Sequence, residues 1–212
     1  MKILVAIPSC RAHAAYQKAQ RDTWIKDATP YVDVKFFVGH SDGLALDEVC
    51  LGEDDYKPEQ GLKKYPTLPT KTKKICGWAH GHGYEYLFKA DTDTLISIAN
   101  LLNSNFDTHD YSGGFNQEVD GEFCSGGAGY WLSRTAMLHV FHSSFEHWAE
   151  DVRTALVLKQ EGILPWFNSG YRWKPGEPID RDMITLHLSS VLQRGKYDPV
   201  WMRECYEKMK AL

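Results

Sequence analysis

Two aspartates one residue apart, Asp91 and Asp93 in YEYLFKADTDTLISIANLL (residues 84–102), are the side chains whose types and spacing suggest chemistry most directly. Carboxylates at i and i+2 repel, and both stay ionised readily only when something positive lies beside or between them. Hard oxygen donors with no cysteine close by suit Mg2+ or Mn2+, which one or two carboxylates hold together with substrate phosphate oxygens. The same spacing suits an Asx-type turn whose aspartates accept backbone N–H bonds on a solvated loop. The pair alone leaves both readings open. Tyr84, Tyr86, Leu87, Phe88 and the stem of Lys89 read as a buried strand, and Leu95 to Leu102 as an apolar-periodic stretch opening near Ser97. The aspartates therefore stand at a strand's carboxyl end, the edge at which open α/β sheets bind ligands.

Other stretches offer partners for such a site. In CSGGAGYW, Gly126, Gly127 and Gly129 permit close backbone approach and positive φ, as a sugar bound against main-chain amides requires, or simply a kinked strand. Glu150 and Asp151 open EDVRTALVLKQEG, where exposed N–H groups stabilise acids, as ordinary first-turn residues or as a general base. His187 in ITLHLSS is either a metal ligand or a satisfied core histidine. Arg21 can clamp a diphosphate or lie solvated on a helix surface, and Lys71 is a candidate phosphate contact. Lys71 belongs to a basic group with Lys57, Lys63, Lys64, Lys73 and Lys74. Arg172, Lys174, Arg181, Arg194 and Lys196 form a second, and both are either solvated faces or attractors of phosphate. Trp166, Phe167, Tyr171 and Trp173 lie among Pro165, Pro175 and Pro178, as a stacking platform for a ring or as a cap on the core. His80, His82, His139, His142 and His147 lack the spacing and the cysteine partners of a zinc site. No G-x-S-x-G and no P-loop supports a serine hydrolase or a kinase.

These residues must be carried by a framework, and the chain has material for one. With 212 residues and 43% hydrophobic content it can close the core of one domain over 1–212. A net charge of −4 gives no overall field favouring nucleic acid. The apolar run at Leu4–Ile7 is far shorter than the ~20 residues a membrane helix needs, so no membrane partner and a cytoplasmic setting are expected. Cys10, Cys50, Cys76, Cys124 and Cys205 are odd in number and irregularly spaced, which predicts free thiols. KILVAIPS reads as a strand, AHAAYQKAQRDTWI as a helix, VDVKFFVG as a strand and TKTKKICGWAHGHG as a helix from near Thr70. Short strands follow at YSGGF and GYWLS, with helices over Arg134 to Phe141, Asp151 to Gln160 and Pro199 to Lys210. A β-α-β-α-β opening predicts an α/β fold with a mainly parallel central sheet flanked by helices. Residues 40–69 form a long irregular stretch, which in a compact domain is often functional.

Five stretches also fall in the order of a known family. RAHAAYQKAQRDTW, VKFFVG, FKADTDTLI, CSGGAGYWLSR, and EDV opening a helix that ends in QEGI together span residues 11–163. On them the chain resembles the β-1,3-glycosyltransferases that include the fringe proteins and the β-1,3-galactosyltransferases. The resemblance implies a GT-A (Rossmann-like) fold, a UDP-sugar donor, Mn2+ or Mg2+, and transfer with inversion to an acceptor hydroxyl. It assigns Asp93 as direct metal ligand, with Asp91 holding the ribose or the metal through water and His187 as a further ligand. It places Arg21, Lys71, Asp91, Gly126 and Gly127 on the donor and Asp151 as the base, with Glu150 beside it. The family commonly shows three successive acids where this chain has Thr92 between two, and its membrane anchor and stem have no counterpart here. Those departures suit a bacterial or phage member, a monomer or weak oligomer, whose acceptor is a bacterial glycan or a hydroxymethylated base in DNA. The rival readings are a nucleotide-sugar- or carbohydrate-binding module without catalysis and a metal-dependent nucleotide phosphohydrolase.

Overall fold

The apolar strand β1 (Ile3–Pro8) is buried at every position and lies inside a seven-stranded sheet. The structure is a computed structural model, described for residues 1–39, 44–52, 67–189 and 199–212. Most of the irregular stretch 40–69, with Lys57, Lys63 and Lys64, and the basic residues Arg194 and Lys196 lie outside the described residues.

Strands β2 (Val32–Val38) and β4 (Tyr86–Lys89) flank β1 in parallel, and β3 (Glu48–Cys50) pairs in parallel with β2. Helix α1 (Ala14–Asp22) connects β1 to β2, and α2 (Thr67–Gly81) precedes β4, so the expected β-α-β-α-β opening is present. The second helix begins at Thr67 rather than near Thr70. On the far side of β4 runs β9 (Tyr130–Ser133), antiparallel to β4 and to β6 (Tyr111–Gly113), while β10 (Trp166–Phe167) pairs in parallel with β6. The sheet is thus mostly parallel, with one reversed strand in its interior.

Side chains alternate across a strand, and β1 uses both faces. Ile3, Val5 and Ile7 join Ala19 and Trp24 on the face covered by α1 and α6 (Pro199–Lys210). Leu4 and Ala6 join Ile75, Cys76 and Ala79 of α2. Met137 and Val140 of α4 (Arg134–His142) and Val152 and Leu158 of α5 (Glu150–Gln160) complete that second layer. Burial on both faces explains why β1 is a continuous apolar run rather than an alternating one. None of the five cysteines is in a disulfide, as the irregular spacing predicted.

Two smaller sheets were not legible beforehand. The antiparallel hairpin of β7 (Phe115–Glu118) and β8 (Gly121–Cys124) turns through Val119 and Asp120, with Gly121 at φ 119°. A three-stranded sheet joins β11 (Tyr171–Arg172), β12 (Thr185–His187) and β5 (Thr94–Ile96). Leu95 and Ile96 therefore belong to a strand, and the helical reading holds from Ile98. There α3 (Ile98–Leu102) starts after Ser97, whose Oγ accepts from the Asn100 amide. The proline-rich aromatics cap the core more than they offer a platform. Tyr171 is buried, the Trp166 ring stacks on His109, and Phe167 meets Phe115 edge-on.

Gly129, just before β9, has φ 91°, and a Cβ there would sit 2.8 Å from the Lys89 carbonyl and closer still to the Phe88 ring. Gly129→Ala should combine left-handed strain with overpacking and destabilise the fold by roughly 2–4 kcal/mol. The denaturant midpoint measures this, and a loss below about 1 kcal/mol would contradict so tight a junction.

Candidate functional site

The chain crosses from one side of β1 to the other after β3, which puts the β1/β4 crevice at a topological switch point. Asp91 follows the end of β4 by two residues, at the carboxyl edge of the parallel strands. The reversed direction of β9 brings its amino end to that same edge: Tyr130 lies opposite Lys89 on one side and Gly113 on the other. The glycine stretch 125–129 is thereby delivered beside the aspartates. Antiparallel pairing of β5 with β12 sets His187 opposite Thr94, and the Leu188 amide donates to the Asp93 carbonyl at 3.0 Å. Residues 94 positions apart in the chain so meet at one point.

Asp91, Asp93 and His187 each offer one ligand atom, and these atoms all lie within 4.8 Å of one another. His187 Nε2 is 3.2 Å from Asp93 Oδ2, and the Ser189 hydroxyl donates to the same oxygen. Burial alone pushes the Asp93 carboxyl up, but the neighbouring imidazole and hydroxyl outweigh it and hold the group down at about 2. Burial likewise pulls His187 down, and Asp93 more than offsets this, leaving the imidazole raised above its ordinary value. Two carboxylates and an imidazole, with no thiolate among them, make a donor set of the kind that holds a divalent cation.

Glu150 and Asp151 stand in the first turn of α5. The glycine stretch runs between them and the aspartate pair. Asp151 accepts from the Gly126 amide at 2.9 Å and from its own neighbour Val152 at 3.0 Å. A Cβ at Gly126 would come within 3.1 Å of Glu150 Oε2 and 3.3 Å of Asp151 Oδ2, and one at Gly127 within 2.6 Å of His187 Nδ1. The protein's own side chains crowd the loop: the His187 ring excludes a side chain at Gly127, and one at Gly126 would force Glu150 and Asp151 to give way slightly, a reason the sequence alone did not show. Positive φ, expected along this stretch, occurs only at Gly129 among its glycines.

Lys89, read beforehand as no more than a strand residue, is 1% exposed at the centre of these groups. Its ammonium donates to Asp91 Oδ1 at 2.7 Å and to the Gly126 carbonyl at 3.1 Å, and pairs with Glu150 Oε2 at 3.2 Å. Burial would lower the lysine pKa, yet Asp91 and Glu150 raise it well above its usual value. Glu150 is 5% exposed and its other oxygen accepts from Tyr130. Burial pushes its carboxyl up, with Lys89 opposing. The sequence held a clue to Lys89: an ammonium inside an apolar strand needs an acidic partner within reach. Thr92, between the two aspartates, is buried and bonded to His13 Nδ1 at 3.1 Å.

Arg21 and Lys71 are held by other partners. The Arg21 guanidinium grips Asp47 at 2.7 and 2.9 Å, reaches Glu48 at 3.4 Å and lies over the Phe36 ring. Lys71 is buried and donates to the Ser9 carbonyl at the end of β1, at 2.7 Å. It is Gln20, next to Arg21, that touches the aspartate turn, donating to the carbonyls of Asp91 and Thr94. A cleft of about 430 Å³ lies between the β7–β8 hairpin and α5, with Phe123, Val152 and Leu156 in its wall. Among the described residues no helix is long and apolar enough to cross a membrane.

No family model and no curated protein matches this chain. Among solved structures it is similar to A197 from STIV, at 12% identity and a TM-score of 0.47, over 80% of this chain and 82% of that one.

The Asp93–His187 pair makes stability depend on pH. Asp93, depressed in the fold, stabilises above its ordinary 3.8 and loses that contribution as pH falls toward about 2. His187, raised in the fold, contributes below its ordinary 6.5 and loses the contribution as pH rises through its folded value. Both contributions are present together between about pH 4 and 6.5. In metal-free protein His187→Gln should lower Tm more at about pH 5.5 than at about pH 8.5. Equal losses at the two values would mean that packing, not charge, holds the ring.

Proposed function

We propose that this protein is an inverting, divalent-metal-dependent glycosyltransferase of GT-A type that moves a sugar from a UDP-sugar to an acceptor hydroxyl. The observation that carries the reading is the meeting of Asp91, Asp93 and His187 at the carboxyl edge of the sheet, across a glycine loop from Asp151. The resemblance in the five sequence stretches supports the choice of reaction.

Asp91, Asp93 and His187 would hold Mn2+ or Mg2+, and such an ion offsets the charge that builds on a departing nucleoside diphosphate. The chain's own residues do the rest. The Gly126–Gly127 backbone, carrying no side chains, forms the wall between the cation ligands and α5. Asp151 is the base. It is the less buried of the two acids, stands at a helix N-terminus, and keeps its carboxylate oriented through the Gly126 and Val152 amides. Glu150 is closed in by Lys89 and Tyr130, so an acceptor hydroxyl cannot reach it as directly. A glycan hydroxyl and the hydroxymethyl group of a modified DNA base both meet the chemical requirement.

Calorimetry with UDP tests the donor half. Wild type should bind UDP in a Mn2+-dependent way and Asp93→Ala should lose that dependence while remaining folded; unchanged binding in the variant would remove the metal assignment. Transfer assays on simple glycosides and on hydroxymethylated DNA test the other half. Asp151→Asn should retain UDP binding and lose roughly 10²–10⁴-fold in rate, the usual worth of a general base, whereas Glu150→Gln should lose less. Full transfer by Asp151→Asn would overturn its role. Release of UMP or sugar phosphate without an acceptor would favour a phosphohydrolase instead.

A further inference from the structure

We infer that Lys89 is a positioning residue: its buried ammonium, anchored on Glu150, orients Asp91 for cation binding. The inference rests on the metal-dependent reading above. Lys89 is a strand residue, locked opposite Tyr130 in the β4–β9 pairing, and a group carried on a sheet is held more firmly than one on a loop. The ammonium donates to Asp91 Oδ1 and to the Gly126 carbonyl and forms an ion pair with Glu150 Oε2. The Tyr130 hydroxyl takes the remaining Glu150 oxygen, so the anchor is itself fixed from the neighbouring strand. Thr154 Oγ1 lies 3.3 Å from the same hydroxyl and donates to the Glu150 carbonyl at 3.0 Å, which ties the assembly to α5.

The consequence falls on Asp91. Its side chain is about one-third exposed, with Lys89 the one cation paired to it among the described residues. With Oδ1 committed to the ammonium, rotation of the carboxylate is restricted and the second oxygen is the one left for a cation. Gln20 and the Thr94 amide hold the Asp91 carbonyl, but among the described residues Lys89 is the hydrogen-bond donor to its carboxylate, and without Lys89 Glu150 would be a buried carboxylate lacking its counter-charge.

A positioning lysine and a merely nearby positive charge predict opposite signs. A positive charge 2.7 Å from a ligand carboxylate repels an incoming dication, so removing it should tighten metal binding if charge is all that matters. Removing a group that orients a ligand weakens binding, typically 10–100-fold. The experiment is calorimetric titration of nucleotide-free protein with Mn2+ alone, with folding monitored by circular dichroism. We expect Lys89→Met to bind Mn2+ ~10–100-fold more weakly and Lys89→Arg to recover part of the loss. Equal or tighter binding by folded Lys89→Met overturns the inference. So does a variant that melts earlier yet binds Mn2+ as the wild type does, since that is the mark of a purely structural lysine. Should Lys89→Met not fold, the double variant Lys89→Met with Glu150→Gln, which leaves no buried carboxylate without its counter-charge, is read by the same criteria. Wild type with no affinity for Mn2+ would overturn the metal reading and the inference together, an outcome distinct from a wild type that binds and a variant that does not respond.

Discussion

Four carboxylates, those of Asp91, Asp93, Glu150 and Asp151, are gathered around one short glycine loop, with Lys89 the fully buried cation among them. Like charges so placed repel, and the rest of the site follows from how that repulsion is relieved. Lys89 neutralises the side toward α5. His187 and Ser189 relieve Asp93. Asp151 takes two amide donors at the start of a helix, where the backbone itself is positive. Four carboxylates still outnumber the buried lysine and the histidine, and the divalent cation proposed against Asp91, Asp93 and His187 would offset the remainder.

The fold serves that arrangement through direction rather than through any unusual element. Parallel strands place Ser9 and Asp91 at one edge, and the reversed β9 adds the glycine loop to it. The small β5–β12 pairing folds back and supplies the histidine. Each contribution comes from a strand end set by hydrogen-bonded register, and a one-residue slip would send the neighbouring side chains to the opposite face. The tightness of the packing around Gly113, Gly127 and Gly129, where a Cβ would strike backbone or neighbouring side chains, shows how little room the register leaves.

The parts legible in the sequence were those with a strong local signature. β1, β2 and β4 are long or strongly apolar runs, the bounds of the last helix were read at Pro199 and Lys210, and Asp91 and Asp93 stood out as polar residues at the end of such a run. The alternation of strands and helices was enough to expect a mostly parallel sheet. Strands of two or three residues have too little period to detect, so β5, β10, β11 and β12 were not delimited, although the apolar flanks of His187 did hint at a strand there. The β7–β8 hairpin escaped notice although Asp120-Gly121 is a turn signal. The partners of Arg21 and Lys71 could not be foreseen, because a basic residue on a helix reads the same whether it meets a phosphate, an aspartate or a carbonyl. Lys89 was missed although Asp91 lies two positions on: its apolar neighbours made it read as stem, and its second acid, Glu150, lies 61 positions away.

The most direct measurement is anomalous diffraction from crystals of the protein grown with Mn2+ and UDP. The account predicts one strong manganese peak bounded by Asp91, Asp93 and His187, with the diphosphate against it and the Gly126–Gly127 backbone alongside. A manganese peak elsewhere, or UDP bound with no metal at these three residues, would contradict it.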